Sequence, residues 1–319
     1  MDLCDPLGGL NPDAVGWRRH PFIRANLPGR GRNKRWEYWA VASPSLVIAV
    51  TVSDLDYASL HSVFVHDADG TQVAITDLSL LRRTDLPDAC GEEPIEVRTK
   101  RLSIDITPSD TGTEIRLRSD RVHADLVIER PEGHEALAVV VPWTRRLFQY
   151  TVKENTLPAS GTVVIDGSSR ELADAWATLD HGRGRWPHRI TWNWGSGSGV
   201  VDGRVVGVQV GGKWTNGTGA TENALCVDGR LHYVPDELDW QYDLADETGP
   251  WTIRTPHDDR VDLTFHPEFV RTDHTSLGIL ANDTHQAFGA WSGTIRDDAG
   301  EPVRVDGVRG WAEEVVNRW

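Results

Sequence analysis

Apolar residues along this chain recur at every second position over short runs. Leu46, Ile48, Val50 and Val52 fall on one side of an extended segment, as do Ile115 and Leu117, and Val261, Leu263 and Phe265. That is the pattern of half-buried strands. Turn pairs separate the runs: Asp69-Gly70, Asp202-Gly203, Asp228-Gly229 and the run Asp298, Ala299, Gly300. Asp228-Gly229, between residues 224–227 and 230–234, is the clearest hairpin. Helical stripes are few. Residues 169–178 predict one short helix, while Trp311, Val315 and Trp319, four apart, fit either a closing helix or a closing strand. Many short strands between frequent turns predict an all-β protein, a sandwich or barrel. Asn155, Pro158, Ser160 and Gly161 interrupt strand-like sequence and predict a boundary between domains 1–156 and 157–319. No internal repeat relates the halves.

Charge narrows the partners. The 319 residues hold 48 acidic and 33 basic side chains, a formal charge of -15, which repels phosphate backbones and argues against nucleic acid. No apolar run reaches the roughly 20 residues of a membrane-spanning helix, and the start of the chain lacks the basic and apolar regions of a signal peptide. Three scattered cysteines, Cys4, Cys90 and Cys226, suit reduced thiols, so the reading is cytoplasmic. Fourteen tryptophans against one methionine call for aromatic packing, each indole bringing an N–H that wants a partner when buried.

Three segments concentrate chemistry. Residues 180–194 hold Asp180, His181, Arg183, Arg185, Trp186, His188, Trp192 and Trp194. A strand through Ile190 places Trp192 and Trp194 on one face as an aromatic wall. Asp180 is the candidate acid with His181 beside it; Arg183 and Arg185 either meet an anionic ligand group or pair with Asp180. The second segment is a glycine-rich loop with Lys213, Trp214, Asn216, Glu222 and Asn223. Residues 207–213 have the spacing of a phosphate loop, but Trp214 stands where Ser or Thr is needed and no helix follows. Glu222 is the second candidate acid or base, its proton affinity open to desolvation by neighbouring indoles. The third segment, 16–39, carries seven of the cations between Arg18 and Trp36; alternation sets Trp36 and Tyr38 opposite Arg35, Glu37 and Trp39. Its cations either bind an acidic ligand or tie the N-terminal arm to acidic surface.

Other chemistries lack their motifs. The 12 histidines form no His-x-His pair and no His-Glu-x-x-His helix, so no dedicated metal site is predicted. There is no Gly-x-Ser-x-Gly elbow and no dinucleotide fingerprint. No cofactor is expected.

Gly16-Trp17 with 19–21, residues 34–39, 180–187 with 192–194, 211–219 with Glu222-Asn223, and 311–319 together resemble the domain-of-unknown-function family 2804 of bacteria and some fungi. More remotely the chain is similar to calycin-type proteins that pair two lipocalin-like barrels: carotenoid hydratases, tocopherol cyclases and fungal Diels-Alderases. The resemblance implies two antiparallel barrels or half-barrels, and a small-molecule ligand, such as a sugar, terpenoid or lipid, handled by acidic and aromatic side chains. Three functions follow. The first is an acid–base hydratase, cyclase or isomerase with a Trp-lined barrel pocket and Asp180 as proton donor. The second is a glycoside hydrolase pairing Asp180 with Glu222, and the third a non-catalytic carrier.

Overall fold

A computed structural model describes residues 1–80, 84–277 and 280–318, and strands account for most of it. The chain divides into two compact units, Met1–Trp186 and Pro187–Trp319. The first contains β1 (Gly16–Arg18), β2 (Asn33–Ala42), β3 (Leu46–Asp54), β4 (Ala58–Asp67), β5 (Gln72–Leu80), β6 (Ile95–Arg98), β7 (Ser103–Ser109), β8 (Gly112–Arg118), β9 (Val122–Glu129), β10 (Leu137–Pro142), β11 (Phe148–Ile165) and β12 (Ser168–Arg185). They form one curled antiparallel sheet in the order β5-β4-β3-β2-β12-β11-β9-β8-β7-β6, with β10 on the first half of β11 and β1 on β10. The second contains β13 (Arg189–Val201), β14 (Arg204–Gly212), β15 (Asn223–Val227), β16 (Arg230–Val234), β17 (Asp239–Gln241), β18 (Trp251–Arg254), β19 (Val261–Leu277), β20 (Leu280–Arg296), β21 (Pro302–Arg304) and β22 (Val308–Arg318). Their order is β16-β15-β14-β13-β22-β20-β19-β18-β17, with β21 on β20. Both sheets are half-barrels. The only helical element among the described residues is a short 3-10 turn at Pro12–Ala14, and none of their helices is long and apolar enough to cross a membrane.

The alternating residues build the cores as predicted. Leu46, Ile48, Val50 and Val52 are buried with Ile115 and Leu117 in the first unit's main cluster, and Val261, Leu263 and Phe265 in the second's. Each such side chain removed from water contributes about 1.5–3 kcal/mol. The Asp-Gly pairs make tight hairpins: Asp202 and Gly203 have φ of 51° and 78°, Asp228 and Gly229 of 50° and 82°, the left-handed pair a type I′ turn requires.

Two expectations give way to β-bulges. The helix over 169–178 is part of β12. One extra residue there, with Asp174 at φ 49°, lets Leu172 pair with Gly161 and Ala175 with Ala159, so two buried residues lie three apart and imitate a helical stripe. The boundary at 154–161 lies inside β11, where Thr156 takes φ 58° at a second bulge between Glu154 and Leu157, and Gly161 takes φ 134° opposite the first. The division between units comes at Trp186/Pro187 instead. Trp311 and Val315 lie in β22; Trp319 is outside the described residues.

Candidate functional site

The first unit's central rung is β2-β12-β11. Glu37 stands opposite His181 and Arg35 opposite Arg183, while Tyr150 and Val152 face Arg183 and His181 from β11. Strand alternation puts Glu37, His181 and Arg183 on the side of the sheet that carries Trp39, Val41, Ala177 and Leu179, all buried in the core. Three ionisable groups therefore sit in an apolar interior and must satisfy one another.

They do so closely. His181 Nδ1 lies 2.8 Å from Glu37 Oε2, and Arg183 Nη2 lies 3.5 Å from the same oxygen. Arg183 also donates to the carbonyls of Pro87 (2.9 Å), Trp36 (2.5 Å) and Gly182 (2.9 Å). Burial alone would raise the Glu37 carboxyl, but His181 and Arg183 outweigh it and hold it below its ordinary 4.5. Burial, then repulsion from Arg183, pushes His181 below 6.5 despite Glu37. A neutral imidazole beside a carboxylate must donate from Nδ1, which leaves Nε2 as a lone pair. That nitrogen is buried without a hydrogen-bond partner.

Cys90 joins this cluster to a cavity. Its sulfur, a Glu37 oxygen and a His181 nitrogen lie within 4.8 Å of one another. Burial raises the Cys90 thiol well above its ordinary range, so it stays protonated. Cys90 and Arg35 also line a cavity of about 570 Å³ between arm residues 21–24 and segment 84–93. Arg35 Nη1 is 2.7 Å from Asp88 Oδ1, while its Nε is buried and unpartnered. The lining of this cavity contains Phe22, Ile23 and Leu86 but no tryptophan. A separate space beside Glu37 and Arg183 has only about 10 Å³ open, the room of one water. The Glu37, Cys90 and His181 donors are types a soft divalent ion accepts, although the Arg183 guanidinium at Glu37 opposes a dication.

Asp180 lies on the other face of β12, since residues three apart in a strand point to opposite sides. Its expected pairing with Arg183 or Arg185 therefore does not form. Lys153 Nζ meets Asp180 Oδ2 at 2.9 Å, and Thr151 donates to Oδ1 at 3.1 Å. Arg185 instead bonds Asn33, Gly8 and Pro28, pinning the N-terminal arm. Arg19–Glu135 and Arg24–Asp88 pairs do likewise, the tethering alternative for that cationic segment. Trp186 packs edge-on against Trp36 at 5.3 Å and Trp143 at 5.2 Å and donates to Gln149 Oε1 at 2.6 Å. Half-buried Tyr38 shares this face, opposite Asp180.

Gly182 makes the indole packing possible: a Cβ there would lie 2.0 Å from the Trp36 ring. Gly182→Ala is expected to displace Trp36 and cost about 1–3 kcal/mol, read as a lower urea midpoint. Adding Trp36→Leu should return part of the loss.

Residues 187–194 belong to the second unit. His188 is exposed. Trp192 donates to Glu313 Oε1 at 3.0 Å, whose other oxygen accepts from Gln286 at 2.8 Å; Trp194 donates to Gln209 at 3.0 Å and packs edge-on to Trp311. Buried Glu222 accepts from Trp214 Nε1 at 2.5 Å. Asn223 serves the backbone, accepting from Gly211 N and donating to Asp236 O, and Asn216 accepts from Lys213 N in its own turn. Lys213 pairs with Glu314 and donates to Tyr242 at 2.8 Å. Asp180 and Glu222, the paired carboxyls of the glycosidase reading, thus stand in different units, each already engaged.

The site residues missed by sequence are Glu37, Arg35 and Cys90. Glu37 had a signal, being a charge in alternation with Trp39 and Val41. Cys90 had none, since its neighbours in space are Glu37 and His181.

The profile of one family, described as Domain of unknown function (DUF2804), matches residues 1–319. The chain belongs to that family. No curated protein matches this DUF2804 chain in sequence. Among solved structures it is similar to CghA with Sch210972, at 13% identity and TM-score 0.53, covering 90% of this chain and 88% of that one. An AttH-like protein from Nitrosomonas europaea shares 12% identity, with TM-score 0.54 and coverage of 89% and 92%. Kievitone hydratase from Nectria haematococca shares 8%, with TM-score 0.53 and coverage of 90% and 89%. These likenesses show a common fold and fit the calycin-type relatives the sequence resembles.

Proposed function

We propose that this DUF2804 protein is an acid–base enzyme of the hydratase, cyclase or isomerase kind, acting on a small organic molecule at the 570 Å³ cavity of its first unit. One observation carries the reading: His181, bonded through Nδ1 to a buried carboxylate, keeps Nε2 unpartnered, and a ring nitrogen of this histidine lies within 4.8 Å of the sulfur of Cys90, which lines the cavity. His181 is the base that takes a proton and returns it. Glu37 is a positioning residue that fixes the tautomer, and Arg183 keeps Glu37 ionised. This moves the reacting role from Asp180, whose carboxylate is held by Lys153 and Thr151. That CghA was solved with a small molecule, and that another neighbour is a hydratase, supports the choice of reaction class.

Native mass spectrometry of freshly purified protein would identify a retained molecule, and its conversion can then be followed by chromatography. His181→Gln is expected to slow that conversion at least about 100-fold with unfolding little changed. Equal rates in both proteins would overturn the assignment. A molecule that is retained but not converted would favour the carrier.

A further inference from the structure

Three donors of different kinds meet in the first unit. The Cys90 sulfur, a ring nitrogen of His181 and a carboxylate oxygen of Glu37 all lie within 4.8 Å of one another. Bonds from a metal ion to sulfur and to imidazole nitrogen are about 2.3 and 2.0–2.1 Å, so small side-chain adjustments close such a set on one ion. The His181 ring keeps one lone pair that no hydrogen bond uses, since Nδ1 engages Glu37 and Nε2 is buried without a partner. We infer that Cys90, His181 and Glu37 form a binding site for a soft monovalent cation, of which Cu(I) is the type.

Charge decides which ion fits. The groups acting electrostatically on the Cys90 sulfur are two carboxylates, Glu37 and Glu154, and two guanidiniums, Arg183 and Arg130. With the thiol and the imidazole neutral, these charges cancel. A monovalent ion that bonds the sulfur in place of the thiol proton, which leaves to solvent, preserves that balance. A divalent ion would leave one positive charge uncompensated among buried groups, where it is costly. No electrons change hands: an S–H bond breaks, an S–Cu bond forms and copper stays monovalent. Donor softness agrees, because thiolate and imidazole suit copper, with Glu37 as the third and hardest ligand. Half-buried Cys90 lines the 570 Å³ cavity and gives the ion its approach. Asp88 there is paired with Arg24 and Arg35, so Asp85, Glu92 and Glu93 outnumber the Met1 amino group along the rest of the lining and draw cations in. The inference rests on the acid–base reading in one consequence alone: an ion on either ring nitrogen leaves His181 no lone pair for a proton, so it silences the base.

The probe is Cu(I) itself, kept reduced under nitrogen and offered to the full-length protein as its coloured complex with bicinchoninate, so that loss of colour reads the copper withdrawn. Wild-type protein is expected to withdraw one equivalent that Cys90→Ser does not. His181→Gln is expected to hold that equivalent at least about tenfold more weakly, with circular dichroism confirming each fold. Cys4 and Cys226 are buried and common to all three proteins, so the difference isolates Cys90; Cys90→Ala replaces the serine variant if that one misfolds. Zn(II), followed with a zinc-sensitive dye, is expected to show no equivalent that depends on Cys90. Equal copper uptake in wild type and Cys90→Ser, or an unchanged affinity in folded His181→Gln, overturns the site. A Cys90-dependent zinc equivalent overturns the charge argument and the choice of a monovalent ion. Either failure leaves the acid–base reading to its own test, turnover by wild type and His181→Gln without added metal.

Discussion

Replacing Arg183 with methionine is expected to destabilise the first unit by about 3–5 kcal/mol. The side chain is fully buried and its removal has two costs. The Glu37 carboxylate, also buried, loses its permanent positive partner at 3.5 Å. The carbonyls of Pro87, Trp36 and Gly182 lose a donor in a place water reaches poorly. Methionine fills much of the volume, so the loss measures charge and hydrogen bonding more than a cavity. Urea unfolding followed by tryptophan fluorescence reads it as a lower midpoint. Glu37→Gln in the same background should recover stability, because the uncompensated charge is then gone; a double mutant no better than Arg183→Met would show that the carbonyl donors dominate instead.

Acidification from pH 7 to 4 is expected to weaken the fold in two stages. His181 is held below 6.5 by burial and then by Arg183, and His134 below 6.5 chiefly by burial. Both are neutral in the native protein when the unfolded chain already takes up their protons. Their contribution is therefore complete above about pH 6.5 and is lost as pH falls toward their native values, at a limiting slope of about 1.4 kcal/mol per pH unit for each. The lowered Glu37 carboxyl acts further down: its contribution stands above 4.5 and disappears as pH falls through its native value. Thermal melts at successive pH values should show a slope below pH 6.5 that His181→Gln reduces. A slope equal in both proteins would mean that His181 is already protonated in the native state.

Strands were legible in this chain because one face of each sheet is dry, and a period of two cannot be mistaken when Leu46, Ile48, Val50 and Val52 follow it without interruption. Residues 169–178 misled because a bulge changes the count. Once Asp174 turns left-handed, inward residues fall at 172 and 175, the spacing of a helix. The same device hid the division of the chain, since Asn155, Pro158 and Gly161 have turn chemistry but serve bulges within one long strand. In the candidate site, residues 180–186 drew notice by composition alone, and parity within β12 already separates Asp180 from His181 and Arg183. The partners that give His181 its chemistry come from far along the chain: Glu37 shows only as a charge in alternation with Trp39 and Val41, and Cys90 by no local pattern.

That remoteness has a kinetic side. Glu37 and His181 are 144 residues apart, and β12 lies between β2 and β11 in the sheet. Closing so long a loop is slow relative to forming the hairpins on either side of it. During synthesis β2–β5 can pair among themselves while β2 still presents an open edge, and a chain stopped at residue 156 would leave that edge, and the adjoining part of β11, permanently uncovered. Such edges recruit other chains. The last strand of the first unit thus does two jobs at once: it brings the histidine to its carboxylate and it seals the sheet against aggregation.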